Sequence, residues 1–165
     1  MLFRSNSQAW DFIVVRDQPL KRKIRDLLAP RFQAMRAAMP ASGQVSKTMI
    51  AGASHLADSL HEVPAIIFVC GPVAYPPNAP VEQFVWSALY PAAQNLIVAA
   101  RSLGLGTTFT TFHMLIESDL RDLLGIPNEV RFGVMIPIGW PRDGFVKVKR
   151  KPIAKVIHWE KWSDT

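Results

Sequence analysis

Apolar and polar positions along the chain follow two periods, and each change of period marks out an element. Residues 11–16 (Asp-Phe-Ile-Val-Val-Arg) are a short β-branched run that predicts a first strand. Asp17 then offers an N-cap with Pro19 in the first turn, and Leu20, Ile24, Leu27 and Leu28 recur on one helical face. Pro30 predicts a stop or kink, after which residues 31–39 resume helical spacing up to the breaker cluster at 40–43. Residues 47–60 read as a second helix rich in small residues. Residues 64–70 read as a strand whose unbroken apolar run implies burial on both faces. Four prolines within 71–80 predict a loop.

The longest apolar stretch follows, a helix over 81–102 that Pro91 should kink or divide. Between Pro91 and Ala100 apolar residues occupy every side of the helical wheel, so burial nearly all round is expected, inside a domain or between two subunits. Gly104 stands where a left-handed cap is wanted. Gly106 leads into a β-branched run, Thr107, Thr108, Thr110 and Thr111, suited to a strand or a strand-like loop. Glu117, Ser118 and Asp119 predict the cap of a short helix with Leu120, Leu123 and Leu124 inward, closed by Gly125 and Pro127. Residues 130–140 alternate as a strand. The tail over 149–162 carries Ile153, Val156, Ile157, Trp159 and Trp162, enough anchors to predict docking on a partner surface.

At 165 residues one domain with a real core is expected, spanning 1–165. About four strands mixed with helices, and no Gly-x-Gly-x-x-Gly after a strand, give an α+β class rather than a dinucleotide-binding Rossmann domain. Apolar residues make up 49% of the chain against 19% charged, the balance of a globular protein that hides further surface in an oligomer. A net charge of +6 raises the question of nucleic acid. Its clusters, Lys21-Arg22-Lys23-Arg25 and Lys147-Lys149-Arg150-Lys151, lack interleaved aromatics and any helix-turn-helix, zinc-finger or RNA-recognition signature, so no nucleic-acid partner is expected. The first cluster reads as a solvated helix face, while the second suits an anionic cofactor. The uncharged run 83–100 contains Gln83, Ser87, Pro91, Gln94 and Asn95, a poor lipid span, so no membrane partner is expected. Cys70, the only cysteine, lies in a strand-like run. With no secretory signal visible, it fits a reducing cytoplasm.

Hydrolase triads, zinc sites and Cys-x-x-Cys redox motifs are all without support, and no metal is expected. His55, His61, His113 and His158 share no ligand spacing and each reads as a surface or satisfied core histidine; His113 and His61 are the least unsuited to act as an acid or base.

Four segments, in order and spacing, carry a resemblance. They are Ser5-Asn6-Ser7-Gln8-Ala9-Trp10-Asp11-Phe12; Gln94-Asn95-Leu96-Ile97 with the Ala99 to Thr107 block around Gly104-Leu105-Gly106; Leu123-Leu124-Gly125-Ile126-Pro127; and Arg150-Lys151-Pro152 followed by His158-Trp159. Over nearly its whole length the chain resembles the FMN-dependent nitroreductase family. The resemblance implies a nitroreductase-like fold, with a mixed or antiparallel central sheet, flanking helices and a buried central dimer helix. It also implies a conformationally variable excursion over about 37–46.

For the site, the resemblance places Arg4, Ser5 and Asn6 against the flavin ring, and the backbone N–H groups at Thr110 and Thr111 beside its reactive edge. Lys149 and Arg150 fall on the phosphate. A bare strand-entry turn remains the alternative for the first three. The family's usual helix and arginine-rich segment come ahead of the segment that starts here at Ser5, so a chain shortened at its N-terminus is expected, leaving Lys149 and Arg150 as the main phosphate contacts. The implied activity is a two-electron transfer from NAD(P)H through FMN to a nitroaromatic, quinone or activated alkene, in a homodimer. A dimer that keeps the fold but binds flavin weakly or not at all is the alternative.

Overall fold

The computed structural model describes residues 7–38 and 46–163. Its frame is an antiparallel sheet of β1 (Asp11–Val15), β2 (Ala65–Pro72), β3 (Gly106–Thr107) and β4 (Val130–Gly139), ordered β1-β2-β4-β3. The continuous apolar runs are explained by helices on both faces. On one face Ile66, Phe68, Phe132 and Met135 pack with Ile24, Leu28 and Phe32 of α1 (Gln18–Ala38), Ala57 of α2 (Lys47–Ser59) and Leu120 of α4 (Glu117–Leu124). On the other, Val69, Val134 and Ile136 pack with Val85, Leu89 and Ala93 of α3 (Gln83–Ser102). The expected α+β class holds, and the sheet is antiparallel rather than mixed.

Gly133 is what lets α3 sit so close. Register passes from Val69–Val134 to Cys70–Phe132, which leaves Gly133 as the extra residue of a bulge in β4. A Cβ there would stand 2.9 Å from the Leu89 Cβ.

α1 opens as expected, with Leu20 N–H donating to the Asp17 carboxylate at 2.8 Å. It does not stop at Pro30. The proline and Asp26, whose carbonyl loses its partner, both face water, while Ile24, Leu28, Ala29 and Phe32 anchor the helix on either side. Hydration and packing together offset the lost bond. Buried Lys21 ties the same helix to the start of β2 by donating from Nζ to the Val63 carbonyl.

Other boundaries moved. β2 continues through Gly71 to Pro72, into the expected loop, and α3 runs undivided past Pro91. α4 begins at Glu117 with Ile116 as its cap residue and no side-chain cap, because Ser118 and Asp119 lie inside its first turn and Asp119 is paired with Arg31. Gly104 (φ 82°) and Gly125 (φ 65°) are left-handed, as the capping pattern requires.

Within the chain α3 is buried along one stripe only. Tyr90 and Val98 on its outer side are exposed, which removes the expectation of all-round burial inside the domain. The tail forms one short turn, Ile153–Lys155, and leaves Ile153, Val156, Trp159 and Trp162 in the open. The excursion expected over 37–46 falls for the most part outside the described residues.

Candidate functional site

The threonine-rich segment and α2 face each other across a cleft of about 510 Å³. From α2 come Met49, Gly52, Ala53 and Leu56, whose i, i+3, i+4, i+7 spacing puts them on one helical face. From the other wall come residues 108–112. A Cβ added to Gly52 would meet nothing within 4 Å, so packing within the protomer does not call for glycine there. Past Leu56 and Thr108, which line both, a second hollow of about 310 Å³ runs along Gly106 and the end of β4 toward Pro141. Together they make an elongated depression, apolar on the helix side and edged by backbone on the other.

That backbone edge is sorted by its hydrogen bonds. Thr110 is buried, and both its N–H and its hydroxyl donate to the Met135 carbonyl at 3.0 Å, while Met135 N–H returns to the Thr110 carbonyl. The Thr110 N–H is thus committed to β4, which corrects the role expected of it. The turn Phe112–Leu115 begins directly afterwards, and its first internal bond runs from Met114 N–H to the Thr111 carbonyl. The N–H groups of Thr111 and Phe112 precede that bond, and neither donates to backbone among the described residues. The donors left at the cleft edge are therefore one residue further on than the threonine pair suggested.

Of the other expected site residues, Arg4, Ser5 and Asn6 lie outside the described residues. Lys149 and Arg150 are exposed in the tail and do not line the cleft. The stretch leading to them crosses the end of α3, where the Arg101 guanidinium sits 3.9 Å from the centre of the Phe145 ring. α2's cleft face was not anticipated, although the unexplained Gly52 in mid-helix, a residue that costs about 1 kcal/mol against Ala, was the signal for it.

The histidines do not enter the cleft. His113 is buried against Phe132, with ring centres 5.5 Å apart, and its Nδ1 has no partner. Burial pushes its pKa down to about 4, only partly opposed by Glu117, so the ring is neutral at pH 7. His61 Nε2 lies 4.0 Å from Glu62, and His158 stacks on Trp162 at 4.2 Å. Burial, with Asp11 nearby, pushes the Cys70 thiol up to about 11, which keeps it protonated and unreactive. Among the described residues no group of three or more His, Cys, Asp or Glu side chains is arranged to hold a metal ion, and no helix is long and apolar enough to cross a membrane.

The nitroreductase family profile matches residues 3–140, and the chain belongs to that family. A protein of Archaeoglobus fulgidus, provisionally named NADH dehydrogenase/NAD(P)H nitroreductase, is 30% identical over 162 residues, covering 95% of this chain and 76% of that protein. Iodotyrosine deiodinase 1 of Rattus norvegicus is 24% identical over 158 residues. That match covers 93% of this chain and spans 55% of the deiodinase's length. Among solved structures, oxidized iodotyrosine deiodinase bound to FMN and 3-iodo-L-tyrosine superposes with a TM-score of 0.70 at 21% identity, covering 95% of this chain and 79% of that one. A further protein named NADH dehydrogenase/NAD(P)H nitroreductase, again provisionally, from Parabacteroides distasonis gives 0.66 at 23% identity, covering 98% and 79%. The antiparallel sheet and flanking helices expected from the resemblance are the ones observed.

Proposed function

We propose that this protein is an FMN-dependent oxidoreductase that passes two electrons from NAD(P)H to a nitroaromatic, quinone or activated alkene, working as a homodimer in the cytoplasm. The observation that carries the reading is the cleft between α2 and residues 108–112 in a chain of the nitroreductase family: an apolar wall faces a backbone edge whose Thr111 and Phe112 N–H groups are left over. Its volume lies in the 300–1,000 Å³ range usual for small-molecule sites.

The residues present fit FMN. The apolar face of a planar ring suits the small residues Gly52 and Ala53, and the continuation toward Pro141 gives room for a phosphate-bearing chain. When bound, FMN supplies the hydride-carrying chemistry that no side chain of the site could. The chain's own part is to hold and shield. Thr111 and Phe112 would donate to acceptor atoms at the ring edge and stabilise negative charge there, as oxyanion-hole donors do. Met49 and Leu56 keep water from the wall. Lys149 and Arg150, which lie outside the cleft in the exposed tail, would have to reach in to serve the phosphate, with Arg150 offering a fork of donors.

Titration with FMN, followed by assays of NADH and NADPH oxidation with menadione, tests the reading. Saturable FMN binding and acceptor-dependent oxidation are expected. Binding without turnover would favour a non-catalytic flavin carrier, and a folded protein that takes up no FMN would overturn the proposal.

A further inference from the structure

The basic cluster Lys21-Arg22-Lys23-Arg25 was expected to be a solvated helix face, and its first member departs from that: Lys21 is 4% exposed. Its Nζ donates to the Val63 carbonyl at 2.5 Å and to the Pro64 carbonyl at 3.4 Å, while Gln18 Nε2 donates to the His61 carbonyl at 3.0 Å. The start of α1 thus holds the turn that leads into β2. Among the described residues no carboxylate lies within 4.0 Å of the Lys21 ammonium. Asp17 caps α1 through the Leu20 N–H, and Glu62 stands exposed beside His61. A buried cation usually has an acidic partner, because carbonyl dipoles make up only part of its lost hydration. Val63 and Pro64 also line the second hollow, where the phosphate-bearing chain of the cofactor is proposed to run, and no side chain of that lining is charged. The ammonium is therefore one carbonyl away from an uncharged wall, in surroundings where water screens its field little.

We propose that Lys21 is a buried counter-charge for the cofactor's phosphate, acting across the Val63–Pro64 turn rather than by contact. It is a positioning residue, and the proposal rests on the flavin reading above. An anion in the hollow would supply the negative charge that the described residues do not place beside Lys21.

The test is the ratio of the riboflavin and FMN dissociation constants, read by fluorescence titration, since the two ligands differ only in the phosphate. Lys21→Met keeps the stem and removes the charge, while Lys21→Gln removes the charge and keeps a donor for the turn. Both should lower the preference for FMN about tenfold, the size expected of one unit charge acting across a single peptide layer, with riboflavin binding near wild type. Lys21→Arg, which keeps the charge, should hold the ratio. Raising KCl to about 0.5 M screens the exposed tail but hardly a buried charge, so the wild type should still prefer FMN at least about threefold there. An unchanged ratio in Lys21→Met and Lys21→Gln, whether both ligands weaken together as a merely structural tie would have it or neither does, overturns the proposal. So does a wild-type preference that vanishes at high salt, a result that needs no variant to fold. Wild-type protein that takes up neither flavin overturns the flavin reading itself, and the proposal with it.

Discussion

At the scale of single residues, the titratable groups divide into those the proposed chemistry would use and those whose chemistry is suppressed. His113 belongs to the second kind. Its pKa is held down at about 4 by burial, against 6.5 for a free histidine. The unfolded chain therefore binds a proton across that window and the native one does not, so this contribution to stability is complete above pH 6.5 and is lost as pH falls toward 4. The loss should reach about 3 kcal/mol, and urea unfolding at stepped pH should show a shallower slope between pH 6.5 and 4 in His113→Gln than in the wild type. Identical slopes would mean the ring is protonated in place. In the proposed function Lys149 and Arg150 would be of the first kind. Replacing both with Ala should weaken FMN by roughly two to four orders of magnitude, about 1.5–3 kcal/mol for each lost charge-assisted contact, and riboflavin hardly at all. Equal weakening of the two ligands in fluorescence titrations would assign these side chains to packing instead. Residue types were legible in the sequence, but the partners of individual backbone groups were not. Thr110 and Thr111 look equivalent in a row of threonines, and only the bridge to Met135 shows that one N–H is spent on the sheet.

At the scale of elements, reading the chain locally worked at several caps and strands, though not at the α4 cap. Asp17, Gly104 and Gly125 end or start helices as their chemistry requires, and the strand around Phe68 was visible as an apolar run. The helix does not stop at Pro30, one of the two outcomes expected there, because a breaker's effect depends on what lies on either side in space. Ile24 and Phe32 are both anchored, and the proline faces water. The close approach of α3 to the sheet was hidden for a like reason, since a lone Gly133 in a strand reads equally as a bulge or a weak point. Gly133→Ala tests that contact. Its methyl would meet the Leu89 side chain and the Val69 carbonyl at 3.2 Å, so a cost of about 1–3 kcal/mol is expected. Differential scanning calorimetry should show a lowered Tm, and a Tm equal to the wild type would mean that α3 moves aside freely.

At the scale of the whole molecule, the surplus of apolar surface is the feature that one protomer does not explain. Phe12 and Val14 on the edge strand β1 and Tyr90 and Val98 on α3 are exposed, and a shallow apolar hollow of about 330 Å³ runs between Trp10, Phe12 and the α3 residues Ala88, Ala92, Asn95 and Leu96. The tail adds Ile153, Trp159 and Trp162, open to water and carried on a segment with little structure of its own. Surface of this extent is rare on a lone protomer and usual on an obligate interface. The sequence pattern over 91–100 pointed to burial on every side, and the protomer supplies one side; a second copy would supply the rest. The expected state is a homodimer with α3 at its centre, held at micromolar concentration in sedimentation equilibrium. Val98→Glu places a charge at the middle of that face, 57% exposed in the protomer, where it would cost little in an isolated chain. Desolvating it against a partner would cost several kcal/mol. The variant should therefore sediment as a monomer that keeps wild-type helical circular dichroism. A wild-type chain that is monomeric and stable, or a Val98→Glu variant that is still dimeric, would move the interface away from α3.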